Sequence, residues 1–156
     1  MTPAQITILK ALISAEPSLQ TAILTGQDNI IAGWLNSDAS PAFIVWKTSV
    51  SIDEIMRNGM DWARVDNLSV GKARIWDWMG RLGSFNASKP NIRAGIDAAW
   101  VGTAADLAVR AQVYVHCKRS ATNAEKALAS GVGSDASPAT MVFEGGISVE
   151  EAGLLR

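Results

Sequence analysis

The sequence predicts a mostly α-helical chain: a compact helical bundle with two or three short β-strands, including a C-terminal hairpin. Apolar residues recur at helical spacing along most of its length. Ser or Thr followed three residues later by Glu or Asp marks several helix starts. Runs rich in β-branched and aromatic residues are few and short.

Taken in order, Thr2 caps a first helix with Pro3 at its first position, and Ile6, Leu9 and Ile13 form its stripe. Pro17 restarts a helix that runs to Gly26, and Asp28 caps a third over Ile30 to Leu35. Pro41 disfavours helix at Ser40, so Ala42 to Trp46 reads as an extended segment. Ser51 and Glu54 have capping-box spacing, which starts a helix near Ile52 that stops around Gly59, with Trp62 in the following connection.

Ser69 caps a helix over Val70 to Leu82, with Ile75, Trp78, Met79 and Leu82 expected on one face and Trp76 on another. A further helix spans Asn91 to Trp100. Thr103 and Asp106 open the longest regular stretch, from Ala104 to about Lys118. Thr122 and Glu125 repeat the spacing, so helix to Ser130 is either continuous or joined near Arg119 to Ala121, with Gly131 as its cap. Thr140 to Phe143 is β-prone, Gly145-Gly146 is a turn, and Ile147 to Val149 pairs back as a hairpin. The last seven residues fit either strand or short helix.

One repeat stands out. S-D-A-S-P-A precedes F-I-V-W at Ser37 to Trp46 and T-M-V-F at Ser134 to Phe143. The Ser and Asp side chains bond nearby backbone, Pro ends helix, and an extended apolar run follows. The two runs, Phe43 to Trp46 and Thr140 to Phe143, are expected in one small sheet. No unit repeats at the period of about 20 to 50 residues that solenoids require.

The 156 residues fit a single domain over 1–156: helical at 1–36, a helical core with one extended segment at 37–130, and a hairpin or C-terminal arm at 131–156. Charged residues are only 19%, which suggests surface covered by a partner, and a net charge of −1 gives no broad basic field for nucleic acid. The single cysteine, Cys117, suits manufacture in a reducing cytoplasm. No apolar run approaches the roughly 20 residues of a membrane span, so no membrane partner is expected.

Catalytic signals are weak. His116 and Cys117 are adjacent, so on a helix they diverge by about 100° and cannot converge on one metal or one substrate. Gly71-Lys72 lacks the rest of a phosphate loop. The acidic pairs Asp53-Glu54 and Glu150-Glu151 suit helix starts. The expectation is no enzyme, no catalytic residue, no metal and no cofactor.

The stretches W-L-N-S-D-A-S-P-A-F-I-V-W-K-T-S-V, N-A-S-K-P-N-I-R-A-G-I-D-A-A-W and R-S-A-T-N-A-E-K-A-L-A-S-G-V-G, the last leading to S-P-A-T-M-V-F-E-G, carry a resemblance. Across Trp34 to Gly145 the chain resembles a family of small structural proteins of tailed bacteriophages, most like head–tail adaptors. That resemblance implies a virion protein of the neck, binding the portal protein as a ring, commonly of twelve copies, and presenting a platform to neck or tail proteins. Incidental contact with packaged DNA is a further implication. The expected contact residues are Trp46, Trp76, Trp78, Arg81, Phe143, Glu144, Leu154, Leu155 and Arg156, with Trp46 and Phe143 either meeting in one core or reaching a neighbour. The alternatives are a tail-completion or tail-terminator protein, and a small DNA-binding packaging accessory using the helix with Arg110, Lys118 and Arg119.

Overall fold

Thr2 accepts a hydrogen bond from the Gln5 amide while the Gln5 side chain accepts from the Thr2 amide, a reciprocal cap that opens α1 (Pro3–Ala15). The computed structural model to which this helix belongs describes residues 1–57 and 59–156. Among them are ten α-helices and four short strands, so the chain is mostly α with a few short strands, as its sequence predicts. It divides into two compact units, one of residues 1–45 with 120–156 and one of residues 46–119.

In the first unit, a 3₁₀ turn at Pro17–Leu19 leads into α2 (Gln20–Thr25). Gly26 ends α2 in the left-handed region, at φ 69°, which a side chain would disfavour. There follow α3 (Asp28–Asn36), α9 (Asn123–Leu128) and α10 (Val149–Gly153). Leu9, Ile13, Ile31 and Leu35 pack with Leu128, Ile147 and Leu155 in an aliphatic core.

Polar clamps hold the C-terminal segment in this unit. Asn36 donates to the Ile147 carbonyl at 2.9 Å and accepts from the Ile147 amide at 2.7 Å. Arg156 pairs with Asp28 at 2.5 Å, and Lys10 donates to the Arg156 carbonyl. Buried Glu125 accepts from the Thr122 and Gly145 amides. The hairpin expected here is absent: Ile147 is buried in the core, and Ser148 caps Glu151 in a capping box that turns Val149 to Gly153 into helix. A local cap with a matching acidic residue outcompeted a three-residue β-prone run.

The expectation that Phe43 to Trp46 and Thr140 to Phe143 are strands of one sheet is corrected: only the first run forms a strand, which pairs with β4 (Lys118–Ser120), and the second copy touches it through an isolated bridge. β1 (Ile44–Trp46) begins beside the second copy: Val45 bridges Ala139 in parallel, Ile44 donates to the Gly133 carbonyl, and Ala139 donates to the Ile44 carbonyl. On the other side, the Ala121 amide donates to the Phe43 carbonyl. Gly133, at φ 73°, lies under the Phe43 ring, where a Cβ would sit only 2.1 Å from a ring carbon. Only glycine fits there.

The second unit holds β2 (Val50–Ser51), α4 (Ile52–Arg57), α5 (Trp62–Asp66), α6 (Val70–Arg81), β3 (Ser84–Phe85), α7 (Pro90–Ala99) and α8 (Ala104–His116). β2 and β3 are antiparallel, Val50 opposite Phe85. The helix expected to stop at Gly59 is described to Arg57; Asn58 lies outside the described residues. Trp62, expected in a connection, starts α5 because Asp61 caps the Arg64 amide. The stretch expected to run on from Ala104 ends at His116, and β4 (Lys118–Ser120) separates α8 from α9.

The core of this unit is aromatic. Trp76 and Trp100 meet edge to face at 5.3 Å between ring centroids. Trp46 packs on Tyr114, also at 5.3 Å, with the Arg93 guanidinium 4.9 Å over its ring. Gly95 of α7 faces Met79 of α6, whose sulfur a Cβ there would meet at 3.4 Å, an ordinary contact. Asp106 ties α5 to α8, capping Thr103 and accepting from Arg64 at 2.5 Å.

Candidate interaction surface

Helix α6 reads V-G-K-A-R-I-W-D-W-M-G-R, with apolar residues at more than one phase of the helix. At about 100° per residue, Trp76 and Met79 fall on one side, and both are buried. Trp78 lies about 200° from Trp76 and is 66% exposed. The expected apolar face of Ile75, Trp78, Met79 and Leu82 is therefore corrected: Trp78 and Leu82 point to solvent, and Trp76 takes the core position. The Trp76–Trp100 contact and the burial of Met79 in the same core select that phase.

Four exposed residues stand at successive i, i+4 positions: Val70, Arg74, Trp78 and Leu82. They form one ridge along the solvent side of α6. On the adjoining Ala73–Asp77–Arg81 side of α6, lined by none of those four residues, runs an apolar groove of about 500 Å³ within the second unit. Ile52 and Met56 of α4 and Val65 and Leu68 from α5 and its exit form one wall. Small Ala73 and Gly80 keep the α6 side low, and Asp77 and Arg81 stand at its rim, paired at 2.8 Å. Both members of that pair are exposed, so it contributes little to stability and serves to place charge at the groove. Trp62, at the start of α5, is a further exposed tryptophan of this unit.

Exposed tryptophan beside arginine, next to an apolar groove, is the composition that carries energy in protein interfaces. Cys117 is fully buried, and burial pushes its thiol up to about 12, far from a nucleophile's range. Its neighbour His116 faces Glu54 at 3.6 Å, and the Lys47 ammonium at 2.9 Å holds Glu54 below the usual carboxylate range.

The nine residues expected from sequence separate into different environments. Trp78 and Arg81 lie at the ridge and groove. Trp46 and Trp76 are core residues of the second unit, and Leu155 is core in the first. Phe143 is half-buried against the aliphatic core of the first unit, and Trp46 belongs to the aromatic core of the second. Leu154 and Glu144 are exposed, while Arg156 is engaged by Asp28. Sequence reasoning did not place Val70 or Arg74 among the contact residues and grouped Leu82 with Met79 on one face; the i, i+4 spacing of these three with Trp78 was the available signal.

The basic helix invoked for DNA contact is not assembled. Lys118 and Arg119 lie in β4, beyond the end of α8, and Lys126 lies on α9, where it donates to the Pro41 carbonyl. Arg110 stands 3.4 Å from Asp97. Among the described residues, no helix is long and apolar enough to cross a membrane.

Comparison with protein-family models, curated proteins and solved structures gives no match to this chain.

Proposed function

We propose that this chain is a structural binding subunit of a tailed-phage virion, a head–tail adaptor that rings the portal protein and offers a platform to neck or tail proteins. The resemblance of Trp34 to Gly145 to that family supplies the biological setting. The observation that supports a binding role is the Val70–Arg74–Trp78–Leu82 ridge beside its apolar groove. An exposed indole beside an apolar groove gains stability when a partner covers both, at about 25 cal/mol for each Å² of apolar surface removed from water.

Function on this reading is docking: no bond is made or broken, no cofactor is required, and specificity lies in shape and in the charges at the groove rim. The site of action is the neck of the virion, after synthesis in the host cytoplasm. A tail-completion or tail-terminator role uses the same kind of surface against a different partner.

The test is co-sedimentation of the purified protein with assembled portal, followed by electron microscopy of the complex. A ring of density on the portal supports the adaptor reading. Failure to bind portal together with binding to isolated tail tubes supports the terminator role instead. A mobility shift on DNA that weakens as salt rises would favour the packaging accessory.

A further inference from the structure

Two exposed helical edges on this chain match in spacing and oppose in charge. On α6, Arg74 and Trp78 are one turn apart, both exposed, with Val70 and Leu82 extending the ridge at either end. On α10 and its C-cap, Glu150 and Leu154 are likewise four residues apart and both exposed, Leu154 at 61%. A separation of four residues is about 6 Å along a helix in both cases. Arg74 makes no ion pair with the described residues. The α6 face is net positive, with Arg74 and Arg81 against Asp77, whereas the charged residues of α10 are Glu150 and Glu151.

We infer that a second copy of this chain is the occupant of the α6 face: α10 of one copy lies alongside α6 of the next, pairing Glu150 with Arg74 and Leu154 with Trp78. Laid side by side in the same direction, the two edges bring charge to charge and apolar anchor to apolar anchor in one register. Val70 and Arg74 of the ridge also line an open depression with Leu68, Ala73 and Asp77, which gives the edge a surface to settle on. The contact is heterologous, so each copy keeps one α6 face and one α10 edge available, and association propagates until a ring closes or a filament extends. This inference rests on reading the α6 face as a docking surface and adds the identity of its occupant.

Sedimentation velocity of the purified protein over a concentration series, with no portal present, tests it. The wild type is expected to self-associate as concentration rises. Trp78→Ala should weaken that association roughly 30-fold, the size expected for an aromatic anchor. Arg74→Glu and Glu150→Arg should each weaken it about tenfold. An equimolar mixture of the two charge variants should associate again, because each retains the edge the other has lost. All three positions are exposed, and circular dichroism of each variant confirms that the fold is retained.

A wild type that stays monomeric throughout overturns the inference. So does a Glu150→Arg variant that associates like the wild type, since a symmetric α6-to-α6 contact would ignore Glu150. A monomeric wild type that nonetheless binds portal, and loses that binding on Trp78→Ala, assigns the α6 face to another protein. In that case the adaptor reading survives and the self-docking inference falls.

Discussion

The two compact units are stabilised by different means. The first has an aliphatic core of Leu and Ile, and its C-terminal segment is tied down by directional bonds at Asn36, Asp28 and Glu125. The second centres on Trp46, Trp76, Trp100 and Tyr114, and carries its exposed tryptophans on α5 and α6. Directional clamps specify where a particular chain segment lies, which an aliphatic core does poorly because leucine packing is tolerant of rearrangement. Interlocked rings specify geometry by shape, and so can hold a helix such as α6 steady while its other side stays open.

The contrast breaks most readily at the ring cluster, where the expected effect is greatest. Trp100 is fully buried against Trp76, so Trp100→Ala should destabilise the protein by about 3 to 5 kcal/mol, measured by denaturant unfolding. A loss below about 1 kcal/mol would mean that the ring cluster does not organise the second unit.

The next effect in size is expected in the other unit. Asn36→Ala removes both bonds to Ile147 and leaves a backbone amide and carbonyl without those partners, at a cost of about 1 to 3 kcal/mol. Hydrogen exchange should show faster exchange at Ile147 and through α10 than elsewhere in the first unit. Uniform acceleration would show that Asn36 acts as general core support and not as a clamp.

The smallest effect concerns acid. Arg64 holds the Asp106 carboxyl down to about 2, assisted by the Thr103 backbone amide. A depressed folded-state value contributes stability that is present above the unfolded value, near 4, and is lost as pH falls toward 2. Asp106→Asn should therefore flatten the acid limb of a stability-versus-pH curve over that window and leave its slope near neutrality unchanged. An unchanged acid limb would mean that the Asp106 charge does not help to join α5 and α8.

Much of this fold was legible because caps are local. Thr2 with Gln5, Thr103 with Asp106 and Thr122 with Glu125 each satisfy amides within three residues, so a helix start is written in a tetrapeptide. Ser148 with Glu151 carries the same signal, and reading it would have replaced the expected hairpin with α10. The candidate site was less legible. Trp78 and Arg81 were singled out, but so were Trp46, Trp76 and Leu155, because aromatic or apolar character does not say which way a residue faces.

What the amino-acid order determined by itself was where the capped helices α1, α8 and α9 begin, and that the first S-D-A-S-P-A copy leads out of irregular chain into a strand. Those outcomes depend on hydrogen bonds and dihedral limits spanning a few residues. Tertiary structure alone decided that Val45 bridges Ala139 while Thr140 to Phe143 forms no strand, and that Trp76 turns inward while Trp78 turns outward. α6 has apolar residues on more than one side, so its phase was settled by Trp100 and the core that buries Trp76 and Met79. Burial is a property of neighbours distant in sequence, and the face left over after it is satisfied is the one offered to a partner.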